Sequence, residues 1–411
     1  MKISRLRQMT KPLEGIRVLD FTRHMAGPYG TMLLADYGAD VIKVESLPGG
    51  DSSRTVGTAF IGGESALFLI WNRGKRSIAL DLRSDEGLGV IRRLVKNSDV
   101  VVTSYRPGVA DKIGIGYNDL SEINPKLIYV AVSAFGDEGP LAPYPGTDPV
   151  VQAMSGVMSV TGESDRGPNL VGVPMADFTG AMVGAQAVML GLFAREKTGK
   201  GQFIDVSMLY ALMSSLTTRL ASHWVTGENP GRYGSAHSVV VPYEAFETSD
   251  GYAVAGVWGG GDGWEKFCLA IENPDLVKDD RYKTNQQRVE ARPELTDYLK
   301  KIFVTKTTSE WQESFNQHGV LFGPVLTFSQ ILNHPQVKQA GLLQSVEHPT
   351  LGEIPQLGPV IFLHDTPGEI AGPPPILGQH SLEILNEEGY QKAEIDSLLD
   401  AGIVGTPESL S

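Results

Sequence analysis

Residues 171 to 201 read Val171-Gly-Val-Pro-Met-Ala-Asp-Phe-Thr-Gly-Ala-Met-Val-Gly-Ala-Gln-Ala-Val-Met-Leu-Gly-Leu-Phe-Ala-Arg-Glu-Lys-Thr-Gly-Lys-Gly201. Apolar residues recur there at three- and four-residue steps, which predicts one helix from about residue 176 to residue 197 with Gly199 as its C-terminal stop. Small residues keep the middle of this helix slim: Ala181, Gly184, Ala185 and Ala187. We therefore expect a central helix that is packed closely on all sides.

A single carboxylate, that of Asp177, stands where this apolar helix begins. One interpretation is an N-terminal cap, in which the carboxylate accepts hydrogen bonds from the first free backbone N–H groups. The other is a nucleophile, because the helix dipole and the same N–H groups would hold the carboxylate ionised while it is partly shielded from water. Carboxylates so placed serve as covalent nucleophiles, and both roles can hold together.

The composition is that of a large globular protein. The chain has 411 residues, of which 41% are hydrophobic and 20% charged, enough for more than one domain. Its net charge of −13 argues against a nucleic-acid partner. No apolar run approaches the roughly 20 residues of a membrane span, and residues 1–8 lack the apolar segment of a secretory signal. We expect a soluble, cytoplasmic protein without a membrane partner.

Strands and helices alternate through the first half of the chain, which predicts an α/β fold with a parallel sheet. The strands are expected at residues 16–21, 41–45, 77–80, 99–103, 127–133 and 202–206. The helices between and after them are expected at residues 27–37, 85–96 and 207–224, with a last helical segment at residues 381–399.

The character of the sequence changes at the turn-rich residues 226–234, which we interpret as a domain boundary. A smaller α+β domain is expected at residues 226–330, with a strand at 252–257 and several helices up to about residue 318. The one cysteine, Cys268, shares a helical face with Trp264, Phe267 and Ile271, which favours a place in the core. Residues 331–411 return the chain to the larger domain of residues 1–225.

Several catalytic motifs are absent from the sequence. It has no Walker loop, no Gly-x-Ser-x-Gly elbow and no Gly-x-Gly-x-x-Gly after the first strand, so the first βαβ unit is not a standard dinucleotide site. The eight histidines include no pair three or four residues apart, and we predict no metal centre.

A series of short motifs, each weak alone, occurs in order between residues 13 and 404. They are Gly-Ile-Arg-Val-Leu-Asp-Phe at 15–21, Ala-Gly-Pro at 26–28, Gly-Gly-Asp at 49–51, Asn-Arg-Gly-Lys-Arg-Ser at 72–77, Arg-Pro-Gly at 106–108 and Arg-Glu-Lys-Thr-Gly-Lys-Gly-Gln at 195–202. Together they resemble the class III coenzyme A transferases of the formyl-CoA and carnitine-CoA transferase type, the CaiB/BaiF family.

The resemblance implies that Asp177 is the catalytic nucleophile. Its carboxylate would attack the thioester of an acyl-CoA donor to give a mixed anhydride, which CoA thiolate opens to an aspartyl-CoA thioester. The acceptor acid would then take the acyl linkage and finally the CoA. No tightly bound cofactor is implied, and CoA enters as part of the substrate.

The same resemblance implies a CoA-binding set of cationic and polar residues. By position in the motifs it comprises Arg23, His24, Asn72, Arg73, Lys75, Tyr105, Arg106 and Lys112. Phosphate groups suit such clusters. The family also implies a Rossmann-like large domain built from both chain ends and two subunits interlocked as a dimer, either two copies of this chain or a heteromer with a related subunit.

Two positions depart from the formyl- and oxalyl-specific pattern. Met25 stands where those members carry glutamine, and Trp258 precedes Gly259 and Gly260 where they carry an unbroken glycine run. We assign these four residues to a substrate pocket that is less polar and lined by bulkier groups. The expected acyl group is larger than formyl or oxalyl, such as a branched, aromatic or longer dicarboxylic acid.

Two alternative functions stay open. An α-methylacyl-CoA racemase shares this motif set, but racemases use a histidine where this chain has Thr147 between Gly146 and Asp148, and threonine cannot titrate near neutrality. The other alternative is a CoA-binding partner subunit without turnover, which the retained Asp177 argues against.

Overall fold

A computed structural model describes residues 11–258 and 261–410. The described chain divides into two compact units. The first takes the residues up to Val157, Leu170–Ala221 and the residues from Lys338 onward, and the second takes Met158–Asn169 and Ser222–Val337. Both ends of the described chain therefore contribute to the first unit. The sequence-based boundaries at residues 225 and 330 leave the short segment Met158–Asn169 in the first domain.

The first unit is built on a sheet of seven strands among the described residues. The strands are β1 (Arg17–Phe21), β2 (Asp40–Ser46), β3 (Arg76–Leu80), β4 (Val100–Thr103), β5 (Ile128–Ser133), β6 (Gln202–Ser207) and β7 (Val404–Gly405). Their order is β7-β3-β2-β1-β4-β5-β6, and the neighbours are parallel apart from the antiparallel pair of β7 and β3. The predicted α/β class and parallel sheet are confirmed. Parallel strands are covered on both faces, which explains why they read as near-continuous apolar runs.

The helices of this unit include α1 (Ala26–Asp36), α2 (Asp148–Ser155), α3 (Met175–Thr198), α4 (Met208–Ser214) and α5 (Thr217–Thr226), of which α5 runs past the boundary of the unit. Further helices cover Ala66–Trp71, Asp85–Lys96, Val109–Ile113, Tyr117–Ile123, Ser381–Glu387 and Lys392–Asp400.

Two helices predicted as continuous are each broken in the structure. The segment 207–224 ends its first helix after Ser214, because the hydroxyls of Ser214 and Ser215 donate to the carbonyls of Ala211 and Leu212, both at 2.7 Å, and compete with the helical pattern. The segment 381–399 is interrupted at Gly389, whose φ of +76° ends a helix.

Helix α3 matches its prediction to within one residue at each end, and Gly199 ends it with φ of +69°. One face of α3 packs closely against its neighbours. A β-carbon at Gly30 of α1 would lie 2.9 Å from the carbonyl oxygen of Ala181, and a β-carbon at Gly191 would lie 2.6 Å from the side chain of Ile128. The opposite face is exposed at Met182, Met189, Leu190 and Phe193. The expectation of close packing on all sides is therefore wrong for the single chain.

By length and composition alone, α3 is also long and apolar enough to cross a membrane, which the expectation from apolar run length did not anticipate. Half of its most apolar window is buried inside the protein.

The second unit has its own sheet and core. Within the described residues its sheet has three antiparallel strands in the order Leu321–Pro324, Tyr252–Gly256 and Tyr243–Glu247. Helices Gly263–Ala270, Arg292–Phe303 and Thr308–His318 accompany it, with aromatic side chains in the core. Cys268 is fully buried among them, as predicted, and burial raises the pKa of its thiol to about 12.

Candidate active site

A pocket of about 820 Å³ lies in the first unit, at the carboxyl ends of β1, β4 and β5. Its walls come from the residues that follow these strands, from the first turns of α2 and α3, and from the loop before α2. Open parallel sheets bind their ligands at this edge, and most often where the strand order changes direction. The strand order changes direction between β1 and β4, because the chain runs from β1 outward through β2 and later returns to the other side of β1.

Asp177 lines this pocket as the third residue of α3. Its carboxylate does not cap the helix, so the cap interpretation is wrong. Asp148, at the start of α2, takes that role: one carboxylate oxygen accepts the N–H of Ala176 at 2.7 Å and that of Asp177 at 3.4 Å. The other oxygen accepts the side-chain amide of Gln152 at 2.7 Å, which fixes the capping carboxylate.

This arrangement leaves the carboxylate of Asp177 without a donor among residues 11–258 and 261–410. Burial, and after it the negative charge of Asp148, raise the pKa of Asp177 to about 7. The expectation that helix N–H groups hold the carboxylate ionised is therefore wrong, because Asp148 accepts those N–H groups and repels the second charge. A carboxylate that solvent and donors stabilise poorly is more reactive toward an electrophile.

Four residues of the predicted CoA-binding set lie in the same pocket: Arg23, His24, Tyr105 and Arg106. The Arg23 guanidinium lies over the Tyr105 ring, 5.4 Å from its centre, and donates to the Ser46 hydroxyl at 3.0 Å. Arg106 is exposed. The structure thus brings cationic and aromatic side chains to one pocket with Asp177.

The other four predicted residues do not line the pocket among the residues described. Lys75 is buried and donates to Asp20 and Asn72, both at 2.8 Å. Arg73 is paired with Asp36 at 2.7 Å. Both charges are paired inside the protein with acids distant in sequence, so the structure does not bring Asn72, Arg73 and Lys75 to this pocket. A contact of these three residues with CoA stays a prediction.

Lys112, the fourth of these residues, is exposed on the short helix Val109–Ile113, and within the described chain it too is outside the pocket lining.

The predicted substrate-pocket residues fall in different parts of the chain. Met25 is buried in the wall of the pocket. Trp258 belongs to the second unit, where it is 61% exposed and packs edge-on against His237 and Tyr243. Gly259 and Gly260 lie outside the described residues.

Sequence reasoning missed Asp148 as a functional residue. In the sequence, the tripeptide Gly146-Thr147-Asp148 stands out only for the histidine that it lacks. Its partners Ala176 and Asp177 are 28 and 29 positions away, so the local pattern around Asp148 holds no capping signal. A carboxylate next to the proline at position 149 was the one available sign of a helix start.

The family described as CoA-transferase family III matches this chain over residues 13–381. The chain belongs to this family. It is thus an enzyme, a CoA-transferase whose substrates are CoA thioesters, as the motif resemblance implied.

Relatives support the same assignment. This CoA-transferase is 40% identical over 400 residues to the human succinyl-CoA:glutarate CoA-transferase. The aligned residues make up 97% of this chain and 91% of the human protein. It is 37% identical over 389 residues to the succinyl-CoA:mesaconate CoA-transferase of Haloarcula hispanica, covering 92% and 96%. A crystal structure of a CaiB/BaiF family protein from Brucella suis superposes with a TM-score of 0.83 at 36% identity, covering 92% of this chain and all of that one (100%).

Proposed function

We propose that this CoA-transferase moves CoA from an acyl-CoA donor to a free carboxylic acid through a covalent intermediate on Asp177. The observation that carries this proposal is the carboxylate of Asp177, which is desolvated, has no donor among the described residues and lies in the pocket at the carboxyl edge of the sheet. A buried carboxylate without a partner is costly for the fold, and active sites are where such groups are found.

The chemistry requires only carboxylates and thiolates as nucleophiles. A carboxylate oxygen of Asp177 attacks the thioester carbonyl, the C–S bond breaks, and CoA leaves as thiolate from a mixed anhydride. The thiolate attacks the aspartyl carbonyl, and the donor acid leaves as a carboxylate from the aspartyl-CoA thioester. The acceptor carboxylate then displaces thiolate to form a second anhydride, and thiolate attack on its acceptor carbonyl releases the new acyl-CoA and Asp177. No net proton is taken up or released.

In this proposal the charged and the aromatic residues of the pocket bind different parts of CoA. Arg23 and Arg106 supply cations for the phosphate groups, while Tyr105 offers a ring and His24 a polar contact. Lys75 and Arg73 are buried just before β3, and their ion pairs with Asp20 of β1 and Asp36 of α1 hold these elements together.

We assign dicarboxylic acids of four or five carbons to the acyl site. The relatives named above act on succinyl-CoA with glutarate or mesaconate. The pocket is large, and Met25, Trp71 and Tyr144 give it apolar walls that suit a carbon chain longer than that of oxalate. Oxalate and formyl-CoA as the best pair would refute this assignment.

We also propose that the enzyme works in the cytoplasm as a dimer of two copies of this chain. Besides the exposed apolar face of α3, the helix α4 that contacts it also has exposed apolar side chains, with Tyr210 59% and Met213 36% exposed. Apolar faces of this extent on a globular protein mark contact surfaces. A heteromer with a related subunit is the alternative.

The test is intact-protein mass spectrometry after mixing the enzyme with a panel of acyl-CoA thioesters and quenching with hydroxylamine. We expect a hydroxamate at Asp177 with succinyl-CoA or glutaryl-CoA and none in Asp177→Ala. Asp119→Asn is the matched control, because Asp119 is also the third residue of a helix, Tyr117–Ile123, but is exposed. No adduct with any thioester, together with solvent deuterium entering the α-carbon of a 2-methylacyl-CoA, would instead establish racemase chemistry.

A further inference from the structure

The loop after β1 contains a residue in a strained backbone conformation at the pocket wall. His24 has φ of +65°, and apart from Glu272 it is the one non-glycine residue with positive φ in the described chain. A residue with a β-carbon is rarely found in this region, and it stays there only when surrounding contacts hold it. His24 lines the pocket between Arg23 and Met25, so its conformation determines where that wall lies.

Asp51 supplies the contact that holds His24. One carboxylate oxygen accepts the backbone N–H of His24 at 3.2 Å and that of Ser53 at 2.9 Å. The neighbouring hydroxyl of Ser52 lies 3.2 Å from Nε2 of His24. Asp51 is only 2% exposed, so water does not compete for these bonds.

A buried lysine anchors both sides of this contact. Nζ of Lys43, on β2, lies 2.9 Å from the second carboxylate oxygen of Asp51 and donates to the carbonyl of Thr22 at 3.0 Å. Thr22 is two residues before His24. Lys43 therefore fixes both the start of the loop, through Thr22, and the Asp51 carboxylate that binds the N–H of His24. Burial would raise the pKa of Asp51, but the charge of Lys43 holds that pKa well below its usual range.

The turn before Asp51 is shaped so that the carboxylate can reach the loop. Gly50 has φ of +69°, and a β-carbon there would lie 2.6 Å from a carboxylate oxygen of Glu45. That same oxygen accepts the N–H of Asp51 at 3.0 Å. The Gly-Gly-Asp motif at 49–51 therefore has a structural purpose, although Asp51 is itself absent from the pocket lining among the described residues.

We infer that Asp51 is a positioning residue for acyl-CoA binding, which acts by holding the backbone of His24 in the left-handed conformation that shapes the pocket wall. The inference rests on the proposed function, since it takes this pocket to be the thioester site. Asp51 touches neither substrate nor Asp177 in this role, and its effect passes entirely through the loop after β1.

The test is a double-mutant cycle between Asp51→Ala and His24→Gly. In the presence of His24, loss of Asp51 should raise the KM for the acyl-CoA roughly tenfold and leave kcat within about threefold, because the strained conformation is no longer held. In the His24→Gly background the same loss should change KM less than about twofold, because glycine adopts positive φ without strain. The dissociation constant of free CoA, measured by calorimetry, should follow KM.

Two controls separate positioning from general destabilisation. The first control is Asp99→Asn, at the opposite end of the sheet. Like Asp51, Asp99 accepts a backbone N–H, that of Arg17, and pairs with a cation, Arg195. This substitution should leave KM unchanged. If Asp51→Ala does not fold, Asp51→Asn keeps the shape and one acceptor. It should raise KM about threefold with His24 present and not at all in the glycine background.

The inference is overturned if loss of Asp51 raises KM equally in both backgrounds, or if KM does not change. A crystal structure of the Asp51 variant with φ of His24 still near its present value would overturn it as well. Failure of the proposed function has a different signature: the wild-type enzyme would give no hydroxamate at Asp177, while CoA affinity and backbone conformation would still report on Asp51.

Discussion

At the scale of single residues, burial and, after it, the nearby carboxylate of Asp148 determine how readily Asp177 ionises. Asp148 caps the helix that carries Asp177 and adds a negative charge beside it. Capping orders the first turn of α3, while the added charge destabilises the ionised carboxylate before reaction. The two effects can be separated, because asparagine keeps an acceptor for the cap and removes the charge.

The first prediction concerns the pH dependence of the reaction. Burial and Asp148 raise the pKa of Asp177 to about 7, and the nucleophile must be ionised, so kcat/KM should rise with pH through about 7 and level off above it. Asp148→Asn should move this rise to lower pH, because it removes the negative charge beside Asp177. Asp148→Ala should also cost about 1 kcal/mol of stability through loss of the cap. A pH profile that is the same in Asp148→Asn and wild type would contradict this role.

The second prediction is that ionised Asp177 destabilises the fold. The pKa of Asp177 is raised to about 7 in the folded state from an ordinary value of 3.8, so the folded protein binds the proton more tightly than the unfolded chain. The stability lost by ionising Asp177 therefore grows as pH rises from about 4 to about 7 and is constant above. Allowing for solvent screening, the advantage of Asp177→Asn in the free energy of unfolding should be about 2 kcal/mol larger at pH 8 than at pH 5.

Urea denaturation at the two pH values measures this difference, with Asp119→Asn as the control that should show none. An advantage that is equal at both pH values, or larger at pH 5, would show that Asp177 is not desolvated in the folded protein.

The residues that the sequence could predict are those whose role depends on local pattern. Asp177 is prominent in the sequence because it begins an apolar helix, and the structure places it in the pocket. Its missing cap bond and the pairing of Arg73 and Lys75 with Asp36 and Asp20 depend on contacts between distant segments. A cluster of cations in sequence looks the same whether its charges are in solvent or neutralised in a core.

At the scale of elements, the close approach of α1 and α3 positions Asp177 over the edge of the sheet. A β-carbon at Gly30 would lie 2.9 Å from the carbonyl oxygen of Ala181, an atom of the backbone that cannot move away alone. The third prediction is that Gly30→Ala destabilises the protein by about 1–3 kcal/mol, despite the higher helix propensity of alanine.

Gly89 offers a matched control for that substitution. It lies within the helix Asp85–Lys96, and a β-carbon there would have open space around it. Gly89→Ala should stabilise the protein by about 0.5–1 kcal/mol. Thermal or urea denaturation of both variants decides the matter, and equal changes of the same sign would show that the two helices do not approach as closely as described.

Alternation of strands and helices was enough to predict the parallel sheet, because apolar strands separated by amphipathic helices have few other arrangements. The breaks after Ser214 and at Gly389 were missed, since side-chain hydrogen bonds and a single left-handed residue leave the apolar period intact. The exposed face of α3 was missed for a related reason: apolar residues predict burial but not which chain covers them.

At the scale of the whole molecule, the fourth prediction is that the wild-type protein sediments as a dimer. Leu190 and Phe193 are 60% and 62% exposed on α3, and apolar side chains of this size are stabilised by a second subunit. Leu190→Lys with Phe193→Lys should shift the protein toward monomer. Glu196→Lys, an equal increase in charge on an exposed position of the same helix, should not.

Analytical ultracentrifugation over a range of concentrations measures this equilibrium. A wild-type protein that is monomeric at micromolar concentration would refute the homodimer and favour a related subunit as the partner.

The central claim is that the acyl group passes through Asp177, and an oxygen-isotope experiment tests it most directly. If the acceptor carboxylate attacks an aspartyl-CoA thioester, one of its oxygens bridges the second anhydride and stays on Asp177 when the product leaves. Turnover of succinyl-CoA with ¹⁸O-labelled glutarate in ordinary water should therefore place ¹⁸O in the peptide that contains Asp177 and leave the Asp119 peptide unlabelled. Product formation without label on Asp177 would contradict the covalent route and require direct transfer between the two substrates.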